Sequence, residues 1–553
     1  MKDLLTQVSD ALWAYVLIGV LLGCGIWFTW RTRFVQFRML GEMVRLLADS
    51  SVARERQHKH ISSFQAFAVS VATRVGTGNL AGVATAIAVG GPGAVFWMWM
   101  IALIGAATAF VESTLGQLFK QPHADSFIGG PAYYIRRGLH SRWMSVLFAV
   151  LLTVTFGLSY NSIQSNTICS AMNEAFGWSP LSVGIALTLL SLVIIFGGIQ
   201  RIARVSSVLV PIMAIGYFVL AIVVVAMNVE HIPYVLKVIV KDAFGFEQVA
   251  GGGLGATMLM GIKRGLFSNE AGEGSAPNVA ATAAVSHPVK QGLIQALGVF
   301  TDTLLVCSCT AFIILLSGLY TTPELNGIAL TQASLQQEVG SWGPFFIAMA
   351  ILLFAFSSII GNYYYGEANV RFLILHSKLA KDNHSSNVEE EKRRSSLSDE
   401  EQRCSSHSDE EQGSTSHPEA EQGSTSHPEA EQVPTSHSDA EQVPTSHSEA
   451  EQVPKWKRHM NAPTLIQAVY RLFSGGVFVM LGAVASLDFV WSLGDLCMAL
   501  LTGCNLIAII ALGHYAFRLL DDYRSQKRRG IQEPVFDPHL LPEIEDELVG
   551  WQE

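Results

Sequence analysis

Charged residues are scarce in this chain. Asp, Glu, Lys and Arg make up 15% of its 553 residues, whereas hydrophobic residues make up 50%. Together with a mean hydropathy of +0.34, this composition argues against a soluble globular protein and is typical of a helical membrane protein. The net charge of −10 says little about the apolar part, because many of the acidic residues lie in one polar segment.

Motifs of several other function classes are missing. The seven cysteines show neither disulfide nor zinc spacing, so we expect reduced packing residues. No Walker motif for ATP binding is present. No nucleophile–base motif or metal-ligand set stands out, and we predict no catalytic residues and no enzyme. Lys2 is followed by Asp3 and Asp10, which does not resemble a cleaved signal peptide.

Eleven apolar segments are candidates to cross a bilayer as helices. They lie at about 12–30, 63–90, 93–119, 143–170, 181–199, 205–228, 250–268, 290–318, 342–375, 463–485 and 490–517. The seventh is interrupted by Lys263 and Arg264.

Basic residues set the expected orientation of these spans. Lys and Arg are frequent in the linker after the first span, in the loop at 120–142 and in the tail after 517. The loops at 321–341 and 486–491, on the opposite side, contain no Lys or Arg. Only Lys237 and Lys241 depart from this alternation of basic and non-basic loops. The positive-inside bias therefore predicts an external N-terminus and a cytoplasmic C-terminus, which eleven crossings also require.

The second span is interrupted near its middle by Thr73-Arg74-Val75-Gly76-Thr77-Gly78-Asn79. Glycine weakens a helix, and in lipid every freed N–H or C=O needs another partner. Such an interruption persists at membrane depth where it lines a cavity or binds a ligand. Unwound carbonyls suit Na⁺ and half-helix N-termini suit carboxylates, so the segment predicts a transport site.

The seventh span, five spans later and of opposite orientation, carries a second cluster of glycines. Gly251, Gly252 and Gly253 stand at its head, 261–265 reads Gly-Ile-Lys-Arg-Gly, and a polar run follows at 268–274. Two interrupted helices in this relation are what an inverted five-plus-five repeat predicts. The alternative is that these glycines only permit close helix packing.

Several longer motifs resemble the alanine/glycine–cation symporters, also called sodium:alanine symporters. The motifs are Val75-Gly76-Thr77-Gly78-Asn79, Gly90-Gly91-Pro92-Gly93-Ala94-Val95-Phe96-Trp97-Met98-Trp99, Gly129-Gly130-Pro131-Ala132-Tyr133-Tyr134, Arg264-Gly265-Leu266-Phe267-Ser268-Asn269-Glu270-Ala271-Gly272, Phe356-Ser357-Ser358 and Tyr363-Tyr364-Tyr365-Gly366-Glu367. The resemblance covers roughly 10–375 and 460–520.

This resemblance implies an all-α integral membrane protein with a LeuT-type inverted repeat, two broken helices and one additional N-terminal helix. It also implies Na⁺-coupled uptake of alanine or glycine by alternating access across a bacterial inner membrane. The expected partners are the amino acid, Na⁺ and the lipid bilayer. We expect a monomer and no nucleic-acid partner.

The chain departs from the family pattern at three positions. Asn362 stands where a tryptophan near the substrate is usual, which should enlarge or polarise the pocket. Glu273 replaces an apolar residue, and Arg74 replaces a small polar residue.

An amino acid needs positive dipoles for its carboxylate and acceptors for its ammonium. The amides around Gly76, Thr77 and Gly78 could supply the dipoles, and the side chain of Asn79 can both donate and accept. By resemblance, Gln164 contacts the substrate, and Ser358 and Asn362 complete the predicted substrate residues. The alternative for the amide-rich 160–166 segment is that it joins helices by hydrogen bonds.

Na⁺ requires several oxygen ligands. By resemblance, carbonyls of Thr73 or Gly76 would supply them together with the hydroxyls of Ser357 and Ser358. The alternative is that the two serines bond only to their own helix.

Ionisable residues within spans are costly and suggest further roles. Asp302 could be a cation ligand, a proton carrier or an ion-pair partner of Arg74 or Lys263. Glu112 and Glu270 are candidates for gates or interfaces nearer the cytoplasmic ends.

The domain organisation follows from these segments. We expect a first span with a basic linker at 1–60, a transporter core at 61–378, the last two spans at 460–520 and a cytoplasmic tail at 521–553. The segment at 379–459 contains an acidic decapeptide repeat with histidine every ten residues, from His407 to His447. Its low hydrophobicity predicts a disordered cytoplasmic loop without a preformed metal site.

Deletion of residues 396–454 is expected to leave amino-acid uptake largely intact, because this segment cannot bury enough apolar surface to form part of a folded core. Uptake by the shortened protein, normalised to the amount inserted into liposomes, checks this. Near-complete loss of transport from a well-inserted deletion variant would contradict the prediction.

Two other functions remain open at this point. One is a transporter-like sensor that binds an amino acid without net transport, and the other is an H⁺-coupled permease. Ion-dependent accumulation distinguishes them from a Na⁺ symporter.

Overall fold

The computed structural model describes residues 2–49, 61–123, 126–245, 254–407 and 462–551. Their α-helices are α1 Lys2–Leu12, α2 Ile18–Arg31, α3 Val35–Arg38, α4 Leu40–Asp49, α5 Ser63–Arg74, α6 Val83–Gly90, α7 Ala94–Leu118, α8 Pro131–Gly138, α9 Arg142–Val154, α10 Asn161–Phe176, α11 Pro180–Ile195, α12 Gly198–Met227, α13 Ile232–Ala243, α14 Leu254–Asn269, α15 Ala276–Ala280, α16 Pro288–Val299, α17 Ser308–Ser317, α18 Gly327–Val339, α19 Gly343–His407, α20 Ala462–Leu472, α21 Phe478–Val484 and α22 Leu487–Arg528.

Several helices are preceded or followed directly by π-helical segments. These segments are Trp13–Leu17, Gly78–Gly82, Thr155–Tyr160, Phe300–Cys307 and Phe473–Val477. Strands β1 Gln121–His123 and β2 Ser126–Ile128 form an antiparallel pair. Short 3₁₀ turns lie at Val229–His231, Leu319–Thr321, Pro538–Leu540, Pro542–Glu547 and Val549–Trp551.

Eight helical segments of the described residues are long and apolar enough to cross a membrane. They are Thr6–Arg31, Ala94–Leu118, Arg142–Phe176, Arg201–Met227, Pro288–Ser317, Gly343–Ser377, Leu465–Val484 and Leu487–Arg528. The prediction of an all-α membrane protein is therefore confirmed.

The other three predicted spans coincide with shorter helices. The segment at 63–90 is divided into α5 and the piece Gly78–Gly90, 181–199 holds α11, and 250–268 holds α14. The count of eleven and the LeuT-type repeat therefore remain predictions.

The interruption predicted in the second span is present. Helix α5 is capped by Ser62, whose side chain accepts a hydrogen bond from the Gln65 backbone, and it ends at Arg74. Val75 then takes an extended conformation with φ −75° and ψ 90°. Since helical structure resumes around Thr77, only a few peptide groups leave the helical ladder.

The second interruption falls in the polar run at 268–274, and the break predicted at 261–265 is wrong. Residues 261–265 lie inside the continuous helix α14, and the break follows Asn269 at 270–275. Gly261 and Gly265 serve close packing on α7: an added Cβ would lie 2.4 Å from the Ala94 carbonyl oxygen and 2.7 Å from Ile101, respectively. A small residue every four positions allows this approach. The predicted glycines at 251–253 lie outside the described residues.

The actual break is marked by backbone conformations that disfavour most side chains. Glu270, Gly272 and Gly274 have φ of 56°, 99° and 80°. The chain then enters the short helix α15 at Ala276. The two glycines adopt positive φ at little cost in conformational free energy. Glu270 adopts it only because contacts with the surrounding residues stabilise this conformation.

Two units are distinguished by their contacts, one of residues Met1–Ile374 with Leu465–Glu553 and one of residues Leu375–Thr464. In the second unit α19 continues to His407, so 379–407 is helical where the sequence analysis expected disorder. Strong helix formers at 389–394, Glu-Glu-Glu-Lys-Arg-Arg, explain this difference. The rest of the predicted loop, 408–459, lies outside the described residues.

Glu42 joins α4 to the last long helix. Its carboxylate accepts hydrogen bonds from Arg45 at 2.7 Å and from the Tyr523 hydroxyl at 2.6 Å, and it pairs with Lys527 at 3.0 Å. Burial raises the pKa of Glu42, but these hydrogen bonds outweigh it and lower the pKa to about 2. The carboxylate therefore stays ionised at neutral pH.

Candidate functional site

The break after α5 frees peptide groups that polar side chains then satisfy. The Gly76 N–H donates to the Asn79 side-chain oxygen at 2.8 Å. The backbone N–H and the hydroxyl of Thr77 both donate to the Gln164 side-chain oxygen, at 2.9 and 2.7 Å. Gln164 lies on α10, so the interrupted segment is fixed against another helix. Buried backbone groups require such partners.

Gly76 lies where three of the predicted substrate residues meet. A Cβ at this position would lie 2.3 Å from the Ser358 hydroxyl and 2.9 Å from the Gln164 oxygen. Gly78 lies close to α14, since a Cβ added there would lie 3.0 Å from the Ser268 Cα. The fold therefore brings the interrupted segment together with α10, α14 and α19.

Ser357 and Ser358 point at the end of α5. Their hydroxyls donate to the Ala72 carbonyl at 3.2 and 3.0 Å, and Ser358 also lies 3.4 Å from the Val75 carbonyl. Both hydroxyls bond to Phe354 on their own helix as well. An oxygen cluster thus lies where the sequence analysis expected a sodium ligand set. The carbonyls that face the serines are those of Ala72 and Val75.

The Thr73 hydroxyl bonds to groups other than Ser357 and Ser358. Its hydroxyl bonds to the Ser70 carbonyl at 2.7 Å and to the Tyr365 hydroxyl at 3.1 Å. Glu270 lies 3.5 Å from the same hydroxyl and accepts a shorter bond, of 2.5 Å, from Ser275. Thr73 therefore connects α5 to α19 and to the second break.

Glu112 holds the second break in place. Its carboxylate accepts the N–H groups of Gly272 and Gly274 at 3.2 and 3.1 Å. Asn505 donates to the same carboxylate at 2.9 Å and also to the Gly272 carbonyl at 2.9 Å. A buried carboxylate with this many donors has the partners that its desolvation requires.

Asp302 joins the two interrupted helices. It accepts hydrogen bonds from the side chains of Asn79 at 2.7 Å, Ser268 at 2.8 Å and Thr303 at 2.9 Å. Among the described residues it forms no ion pair with Arg74 or Lys263, the partners considered from the sequence. Hydrogen bonds supply its stabilisation instead.

Arg74 is buried beside α16. One of its guanidinium nitrogens donates to the Gln295 carbonyl at 3.1 Å, and the other two have no hydrogen-bond partner in the part of the chain that the structure describes. The exposed fraction of Arg74 is 1%. Its charge is therefore held inside the protein near Glu270 and Glu112 without a direct contact to either.

Sequence reasoning missed a buried ion cluster on α14. Lys263 and Arg264 both contact Asp495, at 2.9 and 2.5 Å, and Lys263 also contacts Asp10 at 3.2 Å. Arg264 lies over the Trp491 ring, 4.3 Å from its centre. Asp495, an acidic residue in an apolar span, was the available signal, but its partners lie more than 200 positions away.

Two of the predicted substrate residues, Gln164 and Asn362, differ in whether their side-chain amides are hydrogen-bonded. Gln164 accepts two hydrogen bonds from Thr77. Asn362 is 1% exposed, and neither atom of its amide has a partner in the described structure.

Known proteins match this chain over most of its length. Residues 1–384 and 456–538 match the profile of the Sodium:alanine symporter family. The chain is 45% identical to a protein of Bacillus subtilis (strain 168) named Probable sodium/glutamine symporter GlnT, over 96% of this chain and 92% of that protein.

Two further relatives come from the same organism. Amino-acid carrier protein AlsT is 41% identical over 99% of this chain and 97% of its own length. Putative sodium/proton-dependent alanine carrier protein YrbD is 37% identical over 98% of this chain and 96% of its own length. The matched ranges contain both helix interruptions.

Proposed function

The chain belongs to the sodium:alanine symporter family, and from this we propose that it couples the entry of Na⁺ to the uptake of a small neutral amino acid such as alanine or glycine. The family consists of transporters and not of enzymes. We place the protein in a bacterial inner membrane with its N-terminus outside and its C-terminus in the cytoplasm. Alternating access between two conformations would carry the substrate across.

One observation carries this proposal. The amides of Gly76 and Thr77 leave the helical ladder and point at the side chains of Asn79 and Gln164. A substrate carboxylate could take the place of these side-chain oxygens, because released backbone N–H groups bind anions. The side-chain oxygens of Asn79 and Gln164 could then accept from the substrate ammonium group.

The oxygen cluster of Ser357 and Ser358 supports the choice of coupling ion. Two hydroxyls and the carbonyls of Ala72 and Val75 provide neutral oxygen ligands, which suit a monovalent hard cation. Entry of one Na⁺ down the membrane potential releases about 2.3 kcal/mol per 100 mV. That free energy supports roughly fortyfold accumulation of a neutral solute.

We further propose that the buried acids take part in opening and closing. Asp302 bonds to both interrupted helices, Glu112 binds the second break, and Glu270 touches the end of α5. A relative movement of the two breaks would therefore change the bonds of all three carboxylates. Arg74 lies near Glu270 and Glu112 without contacting them, so the same movement would change its distance to these carboxylates.

Uptake into liposomes tests the proposed function. The purified full-length protein should accumulate radiolabelled alanine or glycine when Na⁺ is outside, and not when K⁺ or choline replaces it. Gln164→Ala should lower this uptake about tenfold or more, because the Thr77 donors lose their acceptor. Asn79→Ala and Ser358→Ala should also lower it.

An exposed amide on the same helix provides the control. Asn173 lies on α10 at the protein surface, so Asn173→Ala should transport at the rate of the unchanged protein. Amino-acid binding without net flux would instead support the sensor. Accumulation driven by a proton gradient alone would support the H⁺-coupled permease.

A further inference from the structure

One face of α19 carries four polar residues in succession: Ser358, Asn362, Tyr365 and Asn369. Their spacings of four, three and four place them on one side of the helix. Ser358 bonds to the Ala72 carbonyl, Tyr365 to the Thr73 hydroxyl, and Asn369 to the Asn278 side chain at 2.9 Å. Asn362 is the exception: the residue is buried, and neither its amide donor nor its amide acceptor has a partner among the described residues. Such a group normally costs folding free energy, and a bound ligand would supply the partners that it lacks.

The facing surface belongs to α10 and the π-helical segment before it. Phe156, Tyr160 and Gln164 follow one another every four residues on that surface. Gln164 and Ser358 meet at Gly76, and the rings of Phe156 and Tyr365 are 5.3 Å apart. The two helices thus run in opposite directions along this contact. Asn362, which lies between Ser358 and Tyr365, is therefore level with Tyr160.

Tyr160 is hydrogen-bonded to a buried carboxyl group. Its hydroxyl donates to the two oxygens of Glu273 at 3.3 and 3.2 Å. Glu273 is fully buried on the second break and forms no ion pair among the described residues. Its carboxyl group retains acceptor capacity beyond the bond from Tyr160.

We propose that Asn362, Tyr160 and Glu273 form a subsite for the substrate side chain, and that it selects a primary carboxamide, as in glutamine or asparagine. This inference rests on the proposed amino-acid transport. The backbone of the substrate would lie at Gly76 and Gln164, and its side chain would extend towards Asn362 and Tyr160.

Complementary hydrogen bonding favours the carboxamide over other side chains. A carboxamide offers an acceptor to the Asn362 amide nitrogen and donors to the Asn362 oxygen and to Glu273. A methyl group pairs with none of them, and an ammonium group has no acceptor for the Asn362 donor. A carboxylate side chain offers no donor to the Asn362 oxygen or to Glu273. A site built to bond a polar group discriminates strongly against analogues that lack it.

Competition in Na⁺-driven liposomes measures this selectivity. The unchanged full-length protein should take up glutamine or asparagine with a kcat/KM at least about tenfold above that for alanine, glutamate and lysine. Asn362→Leu keeps a similar volume without hydrogen bonding. It should reduce the ratio of kcat/KM for glutamine to kcat/KM for alanine by about ten- to a hundredfold.

Asn369→Leu is the matched control on the same helix face. The amide nitrogen of Asn369 already donates to the Asn278 side chain and to the Tyr365 carbonyl, so loss of this side chain should lower uptake of both substrates equally and leave their ratio unchanged. Should Asn362→Leu fail to insert, Tyr160→Phe supplies the second measurement, and it should lower the same ratio.

The outcomes separate this inference from the proposed function. Equal kcat/KM for glutamine and alanine in the unchanged protein, or a preference for glutamate or lysine, overturns the carboxamide subsite and leaves Na⁺ symport standing. The same holds if Asn362→Leu, or Tyr160→Phe in its place, leaves the ratio unaltered. Absence of Na⁺-dependent uptake for every amino acid tested overturns the proposed function itself.

Discussion

Replacement of Gly76 by alanine is expected to lower Na⁺-dependent uptake about ten- to a hundredfold. The new methyl group would lie 2.3 Å from the Ser358 hydroxyl and 2.9 Å from the Gln164 oxygen, too close for either to stay in place. Displacing them breaks the bonds from Ser358 to Ala72 and from Thr77 to Gln164. Loss of one or two buried hydrogen bonds, at about 1 kcal/mol or more each, accounts for that range. The initial rate of uptake into liposomes is the measurement.

Gly19→Ala is the matched control for this change. Gly19 lies in α2, and an added Cβ there has nothing within 4 Å. Alanine favours a helix over glycine, so this variant should insert and transport as the unchanged protein does. Normal uptake by a well-inserted Gly76→Ala variant would show that the break does not form the binding site.

Replacement of Asp495 by alanine is expected to destabilise the folded protein by about 3–5 kcal/mol. Asp495 is the shared partner of Lys263 and Arg264, and the exposed fractions of these three side chains are 8%, 6% and 4%. Its removal leaves Arg264 without an anionic partner in a buried position, since only Lys263 retains a contact with Asp10. For a chain of this size the apparent melting temperature should fall by about 3–5 °C. Thermal unfolding of the purified protein in detergent measures the shift.

A surface ion pair provides the comparison. Arg518 and Glu543 pair with side chains that are 42% and 41% exposed. Solvent screens such a pair, and Glu543→Ala should change the melting temperature by less than about 1 °C. If the two variants melt at the same temperature, the cluster on α14 does not support the fold.

Arg264 connects this cluster to the candidate site. It lies over the Trp491 ring, Trp491 contacts the Phe267 ring at 4.9 Å, and Phe267 contacts the Tyr160 ring at 4.8 Å. Phe267 also lies beside Gly78 in the first break. A change in the buried ion cluster can therefore be transmitted through these packed side chains to the residues proposed to bind substrate.

Local sequence was sufficient to predict the first interruption. Gly76 and Gly78 weaken the helix at those positions, and the neighbouring Asn79 can bond to the freed Gly76 amide. These effects involve residues close together in the chain. The meeting of Gln164 and Ser358 at Gly76 was expected from the family resemblance alone, because no pattern within one span specifies which helix lies beside it.

The second interruption shows where local reasoning fails. Glycine at 261 and 265 suggested a break, but in the folded protein these residues allow α14 to approach α7. The true break at 270–275 depends on Glu112 and Asn505, which lie about 160 and 230 positions away and bind its freed N–H and C=O groups. Whether a glycine ends a helix or permits packing is decided by the neighbouring helix.

The sequence by itself determined that this protein is a membrane protein of many helices, that its second span is interrupted, and which family it belongs to. The tertiary structure decided the partners of the buried charges and amides: Asp302 with Asn79, Asp495 with Arg264, and Asn362 with none among the described residues. The reason is physical. Hydropathy and backbone freedom depend on each residue and its immediate neighbours, whereas a buried polar side chain is stabilised by a group that helix order and rotation bring within about 3 Å.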